Sequence, residues 1–466
     1  MTRLHALIPL LPATERTAPM KSRLAGIAAV AVAALATVGL TSCSGSAGAS
    51  TSGHVSYWLW DANQLPAYQA CASDFHKANP KITVDITQIG WNDYWTKLTN
   101  GMAAGTAPDV FTDHLSYYPD FVKTNQLLPL DDLVTKDKID MGQYNPGLAD
   151  LWVGKDGKRY GMPKDWDTIA LFYNKKMTRA AGISDQQMQN LTWNPADGGT
   201  YGKVIAHLTI DKNGKRGDEP GFDKNSVVTY GLGLDGSGAG NGQTEWSFLT
   251  GTTGWTATNK NPWGTTFHYG DPRFQQTIAW WAGLAQKGYM PKLATTVGAS
   301  VADSFGAGKA AVNSNGDWMI GQYKSYKGVD VGIAPTPIGP DGKRSSMFNG
   351  LADSIWAGTK NKDDAQKWVA YLASPACQDV VAAHAVVFPA ITEATAKAAA
   401  AFKAKGVDVS AFTTQVKDKT TFLFPITDNA TKVSGIMQPA MDAVVSGQAP
   451  ASSLTAANNQ VNALFH

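Results

Sequence analysis

Strand and helix patterns alternate in an unbroken series early in the chain. Residues 54–61 (HVSYWLWD) predict a strand, and residues 82–89 (ITVDITQI) alternate apolar and polar side chains as a half-buried strand does. Between them, residues 65–78 carry apolar side chains on one helical face. A second helix is predicted over 91–104 and a short strand over 109–112. Strand, helix, strand units of this kind favour a parallel α/β sheet.

The rest of the chain continues the mixture of strands and helices. Further strands are predicted over 168–173, 310–313, 329–334 and 354–357, and further helices over 120–125, 273–287, 363–373, 375–384, 394–405 and 429–445. Residues 193–261 are rich in Gly, Asn and Asp, which is typical of loop insertions. The sequence contains no internal repeat of solenoid type.

The length and charge of the chain exclude several classes of protein. With 466 residues, of which 43% are hydrophobic and 17% charged, the chain suffices for two or three packed units and is too apolar for disorder. Four of its 40 basic residues and one of its 38 acidic residues precede residue 24, so 36 and 37 remain beyond that point. A chain so close to neutrality lacks the positive surface that nucleic acids require, so no nucleic-acid partner is expected.

Residues 1–42 have the pattern of an export signal. Lys21 and Arg23 precede 17 uncharged residues at 24–40, and two small residues separate these from Cys43. No other apolar run approaches the length of about 18 residues that a membrane-spanning helix needs. The chain is therefore expected to be exported.

The tetrad Leu-Thr-Ser-Cys at 40–43 resembles the bacterial lipobox. The resemblance implies that the signal is cut before Cys43, that Cys43 carries lipid, and that the protein is anchored to the cell membrane on its extracellular face. The small residues of 43–53 predict a flexible tether. An ordinary signal peptide with an incidental cysteine is the alternative, and translation starts at Met1 or at Met20.

Several short motifs follow one another in a recognisable order. They are FHKANP (75–80), GTAPDVF (105–111), LLPLD (127–131), YGMP (160–163), LFYNK (171–175), GDW (316–318), AQKWVAYL (365–372) and FPA (388–390). From about residue 54 to 466, this series resembles the extracellular solute-binding proteins of bacterial ABC sugar importers, the family that includes maltose-binding protein. Ordinary α/β core segments would explain the hydrophobic residues of these motifs, but they would not explain why the Gly, Pro and Asp residues occur in this order.

The resemblance implies an α/β fold of two lobes that are joined by a hinge and close over a ligand in the cleft between them. It places 54–165 and 352–387 in the first lobe, and 167–347 and 388–466 in the second. It also implies a monomer that captures a sugar, in particular an oligosaccharide, and delivers it to the permease subunits of an ABC transporter. No cofactor is expected.

Two cysteines remain beside Cys43. An exported chain meets oxidising conditions, which favour a disulfide between Cys71 and Cys377, and two separate buried thiols are the alternative. The resemblance places both cysteines in the first lobe, which favours the bond.

The candidate site residues are chosen for the chemistry of sugars, which present hydroxyl groups around apolar ring faces. Such a ligand needs flat aromatic rings together with planar carboxylate and amide groups, and the chain has 15 tryptophans. The candidate ligand-binding residues are Trp60, Asp61, His114, Asp165, Asp167, Trp246, Asn315, Trp318, Asn349 and Gly350.

Position in the chain is the reason for each choice. Trp60 and Asp61 end the first strand, at the edge where open α/β sheets bind ligands, and His114 follows a neighbouring strand. Asp165 and Asp167 share one side of the segment that crosses between the lobes. Structural roles are the alternatives: core packing for His114, a solvated turn for the two aspartates, and loop anchoring for Trp246.

The remaining candidates depend more heavily on the resemblance. Trp318 matches the family's Gly-x-Trp stretch, whose indole stacks on a sugar ring, and Asn315 lies just before it. Asn349 and Gly350 lie at the return crossing, where a glycine allows close approach of the backbone to a ligand. Trp246 lies in the polar insertion and is a candidate third platform.

One loop partly resembles a calcium-binding loop. Asp211, Asn213, Asp218 and Asp223 supply oxygen ligands at short spacing, but Lys215 occupies a ligand position and no Glu stands at the twelfth. A hydrogen-bonded Asx-turn hairpin is therefore preferred, and no metal is expected.

Two other functions compete with sugar capture. A surface glycoside hydrolase needs two carboxylates that flank a bond, whereas Asp165 and Asp167 share one strand, and no HExxH, GxSxG or P-loop motif is present. A binding protein for a peptide or polyamine is the nearer alternative, although a polyamine needs a more acidic cleft than this near-neutral chain suggests. The chain is therefore not expected to be an enzyme.

Overall fold

The structure is a computed structural model that describes residues 53–235, 240, 242–296 and 298–466. The predicted leader at 1–42, Cys43 and nearly all of the tether at 43–53 lie outside the described residues. Among the helices that are described, none combines the length and the apolar character needed to cross a membrane.

Strands and helices alternate along the described chain. The strands are β1 His54–Leu59, β2 Thr83–Gln88, β3 Val110–His114, β4 Met162–Asp167, β5 Ile169–Asn174, β6 Ile210–Asp211, β7 Val227–Leu232, β8 Ala310–Gly316, β9 Val331–Ala334, β10 Ser346–Ile355, β11 Phe388–Pro389 and β12 Thr421–Leu423.

The helices surround these strands. They are α1 Leu65–Ala78, α2 Trp91–Ala104, α3 Tyr118–Lys123, α4 Asp131–Lys136, α5 Lys175–Ala180, α6 Asp185–Gln189, α7 Gly199–Leu208, α8 Ser247–Thr250, α9 Pro272–Gln286, α10 Val301–Gly306, α11 Ile320–Ser325, α12 Lys362–Leu372, α13 Pro375–His384, α14 Thr392–Ala404, α15 Ser410–Lys417, α16 Ala430–Val445 and α17 Leu454–Asn462.

The described strands form two sheets. The first has the order β11-β4-β10-β3-β1-β2, with β12 also paired to β10, and the second has the order β6-β7-β8-β5-β9. In the first sheet, β1 runs parallel to β2 and β3, whereas β10 runs antiparallel to β3 and β4. In the second sheet, β7 and β8 run parallel, whereas β5 runs antiparallel to β8 and β9. Both sheets are therefore mixed, and the parallel sheet predicted from the strand-helix-strand pattern matches the β1, β2 and β3 part of the first sheet.

Helix α1 shows how the sequence builds the first layer. Tyr68, Cys71 and Phe75 recur at helical spacing and are buried against the sheet, where Phe75 meets the Trp368 ring at 5.2 Å between ring centres. A proline in the first turn starts the helix, and it ends at Asn79, one residue before Pro80.

Three segments of the described chain connect the two sheets. Thr168 joins β4 to β5, residues 335–345 join β9 to β10, and residues 424–429 join β12 to α16. The Thr168 hydroxyl donates to the Phe412 carbonyl at 2.7 Å, and the Ile169 amide donates to Ser346 Oγ at 2.8 Å. The first bond joins the first crossing to α15, and the second joins the strands that follow the first and second crossings.

The hydrophobic interior forms two clusters, one centred on each sheet. Trp318 packs against both clusters. Strands β11 and β12, from residues 388–423, pair with β4 and β10 of the first sheet. The lobe bounds given from the sequence stay a prediction.

Several predicted elements coincide with those of the structure, and others differ. The helices predicted over 65–78, 91–104 and 375–384 have the bounds of α1, α2 and α13. The strand predicted over 354–357 is wrong in extent, because β10 already begins at Ser346. The region 193–261 is more ordered than a loop insertion, since it contains α7, β6, β7 and α8.

Candidate functional site

A cavity of about 260 Å³ lies between elements of the two sheets. Eight aromatic side chains line it: Trp91, Tyr117, Trp246, Trp255, Phe267, Tyr269, Phe422 and Phe424. Hydroxyl and amide side chains interrupt them: Ser116, Ser247, Thr427, Thr431, Ser434 and Gln438. Among the lining residues that the structure describes, none is acidic or basic. We refer to this space as the aromatic cavity.

Trp91 forms the wall of the aromatic cavity on the side of the first sheet. It is the first residue of α2, directly after β2, and its side chain is 37% exposed. Its ring centre lies 5.2 Å from that of Trp60 and 5.4 Å from that of Trp95, both edge to face. Trp95 in turn stacks on Tyr117 at 3.8 Å. Packed rings behind Trp91 and Tyr117 thus hold both in place before a ligand arrives.

Trp246 and Trp255 form the opposite wall. Trp246 is only 2% exposed, and its ring meets Phe274 edge to face at 5.1 Å, while Trp255 stacks on Phe274 at 4.6 Å. Gly242 has a φ of +68°, and a Cβ there would lie 2.0 Å from the Trp246 ring. Only glycine fits this position. Trp246 therefore lines the cavity with a small part of its surface and packs the second core with the rest.

A hydrogen-bonded network lies where the crossing strands meet. Asn349 Nδ2 donates to Asp167 Oδ2 at 3.1 Å and lies 3.1 Å from His114 Nε2, and Gln243 Nε2 donates to Asp167 Oδ1 at 2.9 Å. The other ring nitrogen, His114 Nδ1, lies 2.7 Å from Ser116 Oγ and accepts from the Ser116 amide at 3.1 Å. Burial lowers the pKa of His114 to about 3, so the ring is neutral at pH 7. Three predicted residues, Asp167, His114 and Asn349, are therefore brought together.

The carboxyl groups beside the first crossing have raised pKa values. Burial raises the pKa of Asp165 to about 7 and raises the pKa values of Asp167 and Asp317 well above their usual range. Carboxylate neighbours raise them further: Asp317 and Asp165 act on Asp167, and Asp165 acts on Asp317. Oδ2 of Asp165 and Oδ2 of Asp317 are buried and accept no hydrogen bond within the described residues. At neutral pH Asp167 and Asp317 are therefore protonated, whereas Asp165 titrates close to that pH.

Asp113 is expected to make the protein less stable as the pH rises. It accepts hydrogen bonds from the His114 amide at 2.8 Å and from Ser354 Oγ at 3.0 Å, and burial raises its pKa to about 8. The folded protein therefore keeps a proton that the unfolded chain loses near pH ~3.9, so stability falls between about pH 4 and 8. His114 acts oppositely, since its lowered pKa removes stability only as the pH falls below about 6.5.

The window from pH 6.5 to 8 lies above the titration of His114, and comparison with an Asp113→Asn variant separates Asp113 from the other buried carboxyl groups. Denaturant unfolding should show the Asp113→Asn variant losing less stability across that window than the parent does. Equal slopes in the two proteins would show that Asp113 is already ionised in the folded state.

A buried lysine ties four strands of the first sheet together. Lys164 Nζ donates to Tyr57 Oη at 2.6 Å and to Thr112 Oγ1 at 2.9 Å, and it lies 3.6 Å from Asp353 Oδ1. The ammonium group also lies 3.6 Å from the centre of the Tyr68 ring. Burial lowers the pKa of Lys164 and raises that of Asp353, and their mutual attraction opposes both shifts. Because these residues lie on β1, β3, β4 and β10, the cluster stabilises the sheet.

Other predicted residues lie outside the lining of the aromatic cavity. Trp60 packs behind Trp91, and the Asp61 carboxylate accepts from the Asn63 amide at 2.8 Å and from Gln64 Nε2 at 3.1 Å in a turn before α1. Trp318 packs over Gly316, where a Cβ would lie 1.8 Å from its ring.

Asn315 and Gly350 have local structural partners. Asn315 Oδ1 accepts from the Gly316 amide at 2.9 Å. A Cβ at Gly350 would lie 2.3 Å from Leu148 Cδ1, so a larger residue there would displace the Leu148 side chain.

The sequence analysis missed most of the rings that line the aromatic cavity. Trp91 carried a usable signal, because it follows β2 at the same sheet edge as Trp60 and is the first residue of a helix, where a large apolar side chain has few partners. Phe422 and Phe424 carried none, since β12 was not predicted from its three residues.

Cys71 and Cys377 lie together in the first sheet's helical layer. Their sulfur atoms are 2.13 Å apart, on α1 and α13. The disulfide in the exported protein stays a prediction, which mass spectrometry of a non-reduced digest tests.

The loop that partly resembles a calcium site is an Asx-turn hairpin. Asp211 Oδ1 accepts from the amides of Asn213 and Lys215 at 2.8 and 2.9 Å, and its Oδ2 accepts from the Asp223 amide at 2.8 Å. Asp218 Oδ2 contacts His207 Nδ1 at 2.8 Å instead. Backbone donors thus already occupy the Asp211 carboxylate.

Comparison with known proteins decides the family. A family model described as bacterial extracellular solute-binding protein matches residues 61–379. The chain belongs to this family. The resemblance drawn from the ordered motifs is therefore confirmed.

Curated relatives of the chain include sugar-binding proteins. The lactose-binding protein of Rhizobium radiobacter is 32% identical over 151 residues, which cover 31% of this chain and 34% of that protein. The maltodextrin-binding protein MdxE of Bacillus subtilis is 26% identical over 353 residues, which cover 75% of this chain and 76% of that protein.

Solved structures share the fold. The substrate-binding protein Lmo0181 of Listeria monocytogenes, determined with cycloalternan, has a TM-score of 0.76 at 18% identity and covers 89% of this chain and 99% of its own. The GacH receptor of Streptomyces glaucescens, determined unliganded and with acarbose, has a TM-score of 0.71 at 22% identity and covers 89% and 98%. The predicted two-lobed α/β fold is confirmed, and these relatives are binding proteins rather than enzymes.

Proposed function

We propose that the chain captures a sugar outside the cell, in particular an oligosaccharide, and delivers it to the permease of an ABC importer. The aromatic cavity is the observation that carries this proposal. Sugar rings expose flat apolar C–H faces bordered by hydroxyl groups, and the cavity presents aromatic rings interrupted by hydroxyl and amide groups. Family membership agrees with this chemistry.

The ligand is proposed to bridge the two lobes. Trp91 and Tyr117 follow strands of the first sheet, whereas Trp246 and Trp255 belong to the second core. A ligand that contacts both walls selects the closed arrangement, because it binds that arrangement more tightly than the open one. Roles in ligand contact for the ten residues named from the sequence stay predictions. Of these residues, Trp246 lines the aromatic cavity, and the His114 ring contacts its Trp91 and Phe424 rings.

The protein is proposed to bind its sugar without cleaving it. Asp165 and Asp167 are buried in β4, and Asp167 is held by Asn349 and Gln243. A glycosidase needs two carboxyl groups on either side of the scissile bond. Buried side chains of one strand, engaged with their neighbours, are poorly placed for that arrangement.

Thermal unfolding with a panel of oligosaccharides tests the proposal. A ligand that binds only the folded protein raises the melting temperature, so at least one neutral di- or trisaccharide is expected to raise it in a concentration-dependent way. An absence of any shift across mono- and oligosaccharides, with a shift for a peptide or a polyamine, would replace sugar capture by capture of that solute.

Lipid attachment at Cys43 is proposed as the membrane anchor of a monomeric protein. Cys43→Ser removes the acceptor thiol and is expected to move the protein from the membrane fraction to the medium, because both acyl chains are lost. Ser44→Ala is the matched control and should stay with the membrane. Retention of the Cys43→Ser protein in the membrane fraction would contradict lipidation at this residue.

A further inference from the structure

We propose that the aromatic cavity selects uncharged sugars and excludes sugars that carry a carboxylate or phosphate group. This inference rests on the proposed function and goes beyond it by assigning the charge class of the ligand. It starts from the wall itself, in which the described lining residues include no lysine, arginine or histidine.

An anionic substituent in this cavity would lose hydration without gaining a counter-charge. Burying an unpaired charge is strongly unfavourable, and recognition of carboxylates and phosphates depends on charge-assisted bonds from basic side chains. Aromatic faces carry negative electrostatic potential, so the rings of Trp91 and Tyr117 offer an anion no compensation.

Two helix N-termini reach the cavity, and each already has a carboxylate. Residues at the start of α16 line the cavity, and there the amide of Thr431 donates to Asp120 Oδ2 at 3.0 Å, with a second bond from its hydroxyl. Helix α2 begins at Trp91 and carries Asp93 in its first turn. The partial positive charge that a free N-terminus would offer to an anionic ligand is therefore offset by the protein's own acidic side chains.

The polar groups behind the wall are also uncharged at neutral pH. The His114 ring contacts Asn349 and has a lowered pKa that leaves it neutral, and Asp167 lies in the same network with a raised pKa. Neither supplies a cation for an acidic sugar, and both suit hydroxyl groups, which donate and accept hydrogen bonds without charge.

Calorimetry with matched sugar pairs tests the inference on the full exported domain. Each neutral di- or trisaccharide is compared with its uronic-acid analogue, in which the C6 hydroxymethyl group is oxidised to a carboxylate. The neutral member is expected to bind roughly 30- to 100-fold more tightly, as a buried charge without a partner predicts. Equal or tighter binding of the uronate would overturn the inference while leaving sugar capture intact, and binding of neither member of any pair would overturn both.

A gain-of-charge variant locates the effect in this cavity. Ser434 lines the wall on an exposed face of α16, and its hydroxyl makes no hydrogen bond within the described residues. Ser434→Lys is expected to lower the ratio of the affinity for the neutral sugar to that for its uronate by about tenfold at low salt. The decrease should be smaller at high salt. Ser434→Met, of similar length without charge, is the matched control. If both variants keep the parent's affinity ratio and its circular dichroism spectrum, the carboxylate of the sugar lies elsewhere. That result would overturn the assignment to this cavity.

Discussion

Replacing Lys164 with methionine is expected to lower the free energy of unfolding by about 4 kcal/mol, because Asp353 then stays buried without its cationic partner. The hydroxyl groups of Tyr57 and Thr112 lose the same ammonium donor. Denaturant unfolding at pH 8 measures the loss. The deficit should shrink towards pH 5, since a protonated Asp353 is neutral and no longer needs compensation.

Two further variants show whether the ion pair is responsible. Lys136→Met removes an exposed lysine of α4 and is expected to change stability by less than about 0.5 kcal/mol. The Lys164→Met/Asp353→Asn double variant should be less destabilised than the sum of its single variants, because it removes both charges together. Additive losses would show that Lys164 stabilises the sheet through packing rather than through Asp353.

Replacing Trp91 with alanine is expected to weaken sugar binding by about 2 kcal/mol, through loss of apolar burial and ring stacking. Since the side chain is 37% exposed, the fold should tolerate the change, which chemical unfolding checks. Trp91→Phe keeps a ring at this position and should lose less affinity. Calorimetry with the sugar that best stabilises the protein measures all three proteins.

Trp318 provides the competing expectation. The sequence predicts that its indole stacks on the ligand, so Trp318→Ala is measured beside Trp91→Ala with the same sugar. If only Trp318→Ala loses sugar affinity, the ligand lies beside Gly316 rather than in the aromatic cavity. If only Trp91→Ala loses sugar affinity, Trp318 serves to pack the two hydrophobic clusters together.

Helices whose ends are marked by glycine or proline were predictable from the sequence. Helix α2 begins at Trp91 after Gly90 and ends at Gly105, whose φ of +73° suits glycine, and its buried Tyr94, Trp95, Leu98 and Met102 follow helical spacing. Here local propensity, periodicity and capping agree, so the predicted bounds match those of the structure.

Only the C-terminal end of strand β10 was predicted, because the strand is buried along its whole length. All ten of its residues are buried, so the alternation of apolar and polar side chains that marks a half-exposed strand is missing. Its polar residues contact partners that are distant in sequence: Asn349 contacts Asp167 and His114, Asp353 accepts from Tyr57, and Ser354 donates to Asp113. No local pattern contains those contacts.

The sequence predicts which edge of the sheet carries the site, but it does not predict which aromatic rings line the cavity. Trp60, Trp91 and Tyr117 all follow strands that end at this edge, and the sequence singled out Trp60. Trp91 is nevertheless the outer ring, because α2 carries it over Trp60. Which ring of an aromatic cluster faces outward depends on how helices pack, which residue spacing does not specify.

Titration calorimetry of the exported domain with neutral oligosaccharides, followed by analysis of the recovered sugar, tests sugar capture most directly. The account predicts saturable binding of one sugar per chain, weakened in Trp91→Ala, with the sugar recovered intact. Absence of saturable heat with every sugar, or release of shorter sugars during the titration, would contradict it.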